Sequence, residues 1–161
     1  MKTLILVRHG KSSWEYGVED KDRPLQERGI NDGHLVSGEF KSQDPVIDAV
    51  FSSPANRALH TCVIFLRNLN YPFLKFQLTN ELYDFSGGSV MRFVKRLDNT
   101  LNTVMIFGHN EAFTHVANEW GNRYIDNVPT TGLVQLDFDI DDWASADKGK
   151  TTQTIFPKAL K

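Results

Sequence analysis

The sequence predicts an α/β protein of the three-layer α/β/α sandwich kind, with a mostly parallel sheet and an antiparallel edge. Three observations lead there. Short apolar, β-rich runs recur at residues 3–7, 48–51 and 103–107, and each is followed by a stretch with helical spacing. Strands interleaved with helices bury both faces of a parallel sheet. The final third instead carries two strand-like runs, 134–138 and 152–156, across a polar connection at 141–149, which is the pattern of an edge hairpin.

Taken in order, residues 3–7 (TLILV) run directly into Arg8-His9-Gly10, which reads as a buried strand ending in a functional loop. Over residues 27–41, Ile30, Leu35, Val36 and Phe40 share roughly one helical face, and Asp44-Pro45 closes the segment. Residues 48–51 (DAVF) form a second buried strand. Ser53-Pro54 then opens a helix, with Ser53 as N-cap, Pro54 in the first turn, and Leu59, Val63 and Leu66 facing inward. Residues 75–78 make a short strand and 81–88 a polar loop, followed by a helix through Val90, Phe93, Val94 and Leu97. The third apolar run (TVMIF) leads into Gly108-His109-Asn110 and a helix near residues 111–120. No linker, low-complexity stretch or fixed-period repeat interrupts this order, and a length of 161 residues suits one domain over residues 1–161.

Composition narrows the function. A net charge of −2 lacks the basic excess of a protein that binds nucleic acid by releasing counterions, and favours a local anion pocket. The apolar runs are too short to span a membrane. Met1-Lys2 leads straight into a strand with no signal-peptide pattern, so the expected location is the cytoplasm. The lone cysteine, Cys62, agrees with a reducing compartment and reads as a buried apolar residue.

Ligand sites in open α/β sheets gather beyond the carboxyl ends of the strands. Here Arg8 and His9 follow the first strand, Arg57 the second by one helical turn, and His109 the third. Together these types form a coherent chemistry. A neutral imidazole can attack phosphorus, while guanidinium groups clamp phosphate oxygens through paired donors. Two arginines and a protonated His109 would supply the charge stabilisation that other enzymes take from a metal, so neither metal nor cofactor is expected. Gly10 allows close backbone approach.

Arg8-His9-Gly10, Ser53-Pro54-Ala55 with Arg57-Ala58, and Gly108-His109-Asn110 resemble the three signatures of the histidine phosphatase superfamily, with its phosphoglycerate-mutase-like fold. Within it, RHGKSSW from Arg8, DRPLQERG from Asp22 and PTTG from Pro129 resemble the compact SixA-type phosphohistidine phosphatases more than the mutases. The resemblance implies that His9 is the phosphorylated nucleophile and that Arg8, Arg57 and His109 form the phosphate pocket. It adds Arg23 as a further pocket cation and Asn110 as a substrate-binding neighbour. Two departures stand out. Trp14 is followed by Glu15 where the mutase pattern has asparagine, and a carboxylate there repels phosphate if it points inward. The acidic proton donor of the mutases has Glu81 as its nearest counterpart, with Asp84 as competitor.

Each of these residues also has an ordinary reading. A lone Arg-His-Gly is usually a turn, and only the joint order of the three motifs outweighs that. His34, His60 and His115 read as helix-surface residues. Lys11 reads as a solvated loop lysine, Trp14 is divided between packing and the pocket mouth, and Asp20 and Asp22 read as solvated carboxylates beside basic residues. The preferred function is hydrolysis of a phosphorylated protein, led by phosphohistidine. Little chain lies between the second strand and the third motif, so a capping insertion over the pocket is not expected. The alternatives are a phosphatase for a small sugar or metabolite phosphate and, in another class, a non-catalytic phosphoryl-binding module.

Overall fold

In a computed structural model, which describes residues Met1–Lys161, the first strand (β1, Lys2–Arg8) sends alternate side chains to opposite faces. Leu4 and Leu6 enter one apolar cluster, Ile5 and Val7 the other. The same alternation holds in β4 (Thr103–Gly108), where Val104 and Ile106 oppose Met105 and Phe107. The central residues of both strands, Leu4–Val7 and Val104–Phe107, are therefore apolar because both faces of the sheet are covered.

The remaining strands are β2 (Ala49–Ser52), β3 (Phe76–Leu78), β5 (Leu133–Phe138) and β6 (Lys150–Ile155). All six lie in one sheet in the order β3-β2-β4-β1-β5-β6. β3, β2, β4 and β1 run parallel, and β5 and β6 close the edge in antiparallel fashion, with a register shift between Gln135 and Leu136. Helices α1 (Glu27–Lys41) and α2 (Asn56–Asn68) cover the face of Ile5 and Val7 through Val36, Phe40, Cys62, Phe65 and Leu66. Helices α3 (Gly88–Lys95) and α4 (Ala112–Trp120) cover the face of Leu4 and Leu6 through Val90, Val94, Phe113, Val116 and Trp120. This is the predicted three-layer sandwich.

Several element details differ from the expectation. On α1 the buried residues are Gly29, Asp32, Gly33, Val36, Ser37 and Phe40, and Leu35 points to solvent. The small residues let α1 lie close on α2, since a Cβ at Gly33 would stand 3.2 Å from Ile64. On α2, Leu59 and Val63 are only half-buried, and Ala58, Thr61, Cys62, Phe65 and Leu66 form the inner face. That helix begins at Asn56 with Ala55 as its N-cap, and the Ser53 hydroxyl meets His109 and the Ala55 N–H rather than an amide of the helix. Lys75 belongs to a 3-10 turn, and β3 begins at Phe76. Cys62 is fully buried and burial pushes its thiol pKa up, in keeping with an apolar role.

Candidate active site

The strand order sets β2, β4 and β1 side by side and parallel, with Arg8 opposite Gly108 and Ser52 opposite Phe107. The three motifs therefore emerge at one edge of the sheet. The backbone of His9 is held on two sides: its N–H donates to the Gly108 carbonyl (3.0 Å), and its carbonyl accepts from Thr131 N–H (3.0 Å). Gly10 N–H donates to Thr61 Oγ1 on α2 (2.9 Å). The loop then presses on the start of α1, where a Cβ at Gly29 would fall 2.5 Å from the Lys11 carbonyl oxygen. Only glycine fits that crossing.

His9 Nδ1 lies 2.7 Å from the Gly10 carbonyl oxygen. A carbonyl can only accept, so Nδ1 carries the proton and Nε2 keeps its lone pair. Burial, partly offset by that carbonyl and reinforced by Arg8, Arg57 and Arg23, brings the His9 pKa down to about 3. The ring is therefore neutral at physiological pH.

His9 faces a cavity of about 330 Å³ whose lining includes Arg8, Arg23, Arg57, Lys11 and Asp20. Arg57, the second residue of α2, is 2% exposed and gives one N–H to the Asp20 main-chain carbonyl (2.6 Å) and another to its carboxylate (2.9 Å). Arg8 donates to the Val128 carbonyl (2.8 Å), while its buried Nε has no partner in the protein. Burial and the neighbouring Arg57 lower the Arg8 pKa. Arg23 donates to Ser12 Oγ (2.6 Å), the Ser13 carbonyl (3.1 Å) and the Asp20 carboxylate (3.2 Å), and Trp14 stacks on its guanidinium. Trp14 and Phe85 form an exposed rim.

His109 is fully buried, with its ring centroid 5.3 Å from that of His9. Ser53 Oγ lies 2.8 Å from His109 Nε2 and also accepts from Ala55 N–H (3.2 Å); its proton has no other acceptor, which favours donation to the ring. Nδ1 then carries the hydrogen, and it has no partner in the protein. Burial, then His9 and Arg57, bring the His109 pKa down to about 3, so the expected imidazolium is a neutral donor in the unliganded site.

Arg8, His9 and Arg57 thus share one cavity, which Arg23 also lines, and His109 packs against the His9 ring, fully buried, without lining the cavity itself. Asn110 reaches the rim, but its amide is bonded to Asn127 (2.5 Å) and Thr114 (2.5 Å). Glu81 is not brought to this cavity. Its carboxylate pairs with Arg96 just past the end of α3 and lines a different cavity beside Phe51 and Phe93. Asp84 is committed as well, accepting from the N–H groups of Ser86, Gly87 and Val90 at the start of α3. Glu15 is exposed in an adjoining cavity and does not line that of His9.

Sequence reasoning missed Ser53 as the partner of His109, Thr61 as the anchor of Gly10, Asp20 within the cation cluster, and Tyr83, whose hydroxyl donates to Asp20 (2.5 Å). Thr61 stands four residues after Arg57, one helical turn away, which is the only local cue among them. His34 bonds Asn68 and His60 is exposed. No three His, Cys, Asp or Glu side chains are grouped to hold a metal ion.

The model of the histidine phosphatase superfamily (branch 1) matches residues 4–92. The chain belongs to this superfamily. The match includes the motifs of His9 and Arg57 and stops before that of His109. This superfamily member is 28% identical over 153 residues to an uncharacterised protein of Mycobacterium tuberculosis, spanning 89% of this chain and 93% of the relative. It is 36% identical over 86 residues to a phosphoglycerate mutase of Schizosaccharomyces pombe, covering 50% of this chain and 41% of the mutase. In fold it is similar to the protein histidine phosphatase SixA complexed with tungstate, with a TM-score of 0.84, 23% identity and 99% of both chains covered. It is also similar to mycobacterial glucosyl-3-phosphoglycerate phosphatase, with a TM-score of 0.66, 12% identity, and 94% and 97% covered.

Proposed function

We propose that this superfamily member is a metal-independent phosphatase acting through a phosphohistidine on His9, with phosphohistidine on a protein as its leading substrate class. The observation that carries the reading is the lone pair of His9 Nε2, freed by the Nδ1–Gly10 hydrogen bond, in a small cavity lined by three arginines. In the first step Nε2 bonds to phosphorus and the bond to the leaving group breaks. In the second, water attacks phosphorus, the N–P bond breaks, and inorganic phosphate leaves with His9 restored. Arg8, Arg57 and Arg23 neutralise the equatorial oxygens, and His109 Nδ1–H adds a preorganised donor. Asn110 borders the pocket as a contact for the rest of the substrate.

An uncapped pocket suits a phosphorylated side chain on a protein surface. The chain between β2 and β4 is used by α2, β3 and α3, and no further element covers the cavity. The second reading, a small sugar or metabolite phosphate, needs a proton donor for the leaving alcohol and rests on the one carboxylate in the cavity, Asp20. Both readings describe a single domain acting in the cytoplasm. No helix is long and apolar enough to cross a membrane, and Cys62 needs no oxidising partner.

The test is turnover of a panel of phosphohistidine peptide, phosphoserine peptide and sugar phosphate, with an alkaline quench of ³²P-labelled substrate. Acid-labile label on His9 is expected, absent from His9→Ala. Tight tungstate binding without turnover or label would make the protein a non-catalytic phosphoryl-binding module.

A further inference from the structure

The cation cluster already holds an anion of its own. Asp20 Oδ2 lies 2.9 Å from Arg57 and accepts from the Tyr83 hydroxyl at 2.5 Å, while Oδ1 lies 3.2 Å from Arg23. The Tyr83 ring stands edge-on against His109, with centroids 5.3 Å apart, and Lys21 Nζ sits 4.8 Å over its face. Asp20 thus touches two of the guanidinium groups assigned to phosphate and is tied through Tyr83 to the buried histidine. Glu81, Asp84 and Glu15 all point elsewhere. The loop that carries Asp20 makes a 3-10 turn, Asp20–Asp22, clamped by Arg57 through the main-chain carbonyl. That contact keeps the residue at the cavity even when its side chain exchanges partners.

We propose that Asp20 is the proton carrier of the reaction, delivering a proton to the leaving atom in the first step and taking one from water in the second. The proposal rests on the phosphatase reading above. In the free site, burial works against the carboxylate, but Tyr83, Arg57 and Arg23 hold its pKa below the usual carboxylate range. A bound phosphoryl group takes up hydrogen bonds from the same guanidinium groups and sets a second negative charge beside Asp20, which favours the neutral acid. The proton arrives with the substrate, because a phosphate monoester has its second pKa near about 6 and its monoanion is abundant at neutral pH. As the His9 Nε2–P bond forms and the P–O bond breaks, the Asp20 proton moves to the departing oxygen and leaves an alcohol. Asp20, now a carboxylate, accepts a proton from the attacking water as the new P–O bond forms and the N–P bond breaks. Inorganic phosphate leaves with that proton, and the cycle ends with neutral His9 and the Asp20 carboxylate restored. A carboxylate so placed lets the site act on oxygen leaving groups as well as on phosphohistidine, whose imidazole departs with a proton already on it.

The experiment compares kcat/KM for an alkyl phosphate and for p-nitrophenyl phosphate in wild type, Asp20→Asn, Asp20→Glu and Tyr83→Phe. Asparagine keeps the shape and can still accept from Tyr83. Expected for Asp20→Asn is a loss of about 10² to 10⁴-fold on the alkyl phosphate, the range for a general acid, and far less on the nitrophenyl ester, whose leaving group needs no proton. Asp20→Glu should restore part of the loss. The fall of alkyl phosphate turnover at high pH should vanish in Asp20→Asn and move to higher pH in Tyr83→Phe, which removes a donor that favours the carboxylate. An equal loss on both esters would reduce Asp20 to a positioning residue and overturn the proposal. Faster turnover of both would make it a competing anion and overturn it equally. If wild type turns over none of these substrates and no label reaches His9, the phosphatase reading fails and takes this proposal with it.

Discussion

Ser53 and His109 come from the ends of two different strands, β2 and β4, and meet through one hydrogen bond of 2.8 Å from Ser53 Oγ to His109 Nε2. The contact selects the tautomer of a ring that has no solvent exposure. Ser53→Ala leaves Nε2 buried without a partner and frees the ring to carry its hydrogen on the wrong nitrogen. Stability should fall by about 1 to 3 kcal/mol, the cost of an unsatisfied buried polar group. If His109 donates to the phosphoryl group, kcat should fall by about 10²-fold, the scale of losing one preorganised donor. Urea unfolding and steady-state kinetics would read the two effects separately.

Stability should also depend on acid in a particular window. His9 and His109 have folded-state pKa values of about 3, against about 6.5 in an unfolded chain. As pH drops from about 6.5 toward 3, the unfolded chain takes up protons that the folded protein refuses. Each histidine then removes about 1.4 kcal/mol of stability per pH unit, and neither contributes above about pH 7. Urea midpoints measured between pH 7 and 4.5 should decline, and His9→Gln should lessen the slope by one proton's worth. A flat profile in wild type would contradict the neutral buried pair.

Glu81→Gln should leave turnover within about twofold on every leaving group, since its carboxylate is paired with Arg96 away from the cavity. An exposed pair of this kind contributes at most about 1 kcal/mol to stability. A rate loss that grew with leaving-group pKa would return Glu81 to the role of general acid that its sequence position suggested.

Prolonged dialysis against a chelator should leave kcat and KM unchanged, because Arg8, Arg23 and Arg57 already surround the cavity with cationic donors. Loss of activity that a divalent ion restores would require a different chemistry for the site.

The sheet is legible in the sequence because strands covered on both faces are apolar at consecutive positions, as in residues 4–7 and 104–107. The meeting of Arg8, His9, Arg57 and His109 followed from the rule that ligand sites gather at carboxyl ends of strands, with motif order supplying the rest. Hydropathy places Leu35 on the inner face of α1, but the contact with α2 is made through Gly33 and Ser37, which hydropathy does not weigh. Asp20 and Ser53 escaped for a different reason. Their partners lie 37 and 56 residues away, and neither residue type nor spacing distinguishes such a carboxylate or hydroxyl from a solvated one. Glu81 matches the proton donor by position in a pattern, but side-chain direction decides that role, and the salt bridge to Arg96 turns it away.

The adjacency of β2, β4 and β1 has a further consequence for how this site could be divided or copied. His9 and Arg57 lie within the stretch matched by the family model, residues 4–92, but β4 stands between their strands and enters the chain only at Thr103. A fragment ending at residue 92 would hold two of the three motifs and lack the strand that sets them at their separation. Pocket formation is thus coupled to closure of a long-range pairing, that of β1 with β4 across about a hundred residues. An oxyanion such as tungstate would then act as a reporter of the completed sheet: two complementary halves of the chain, mixed in solution, should gain affinity for it only as they reassemble.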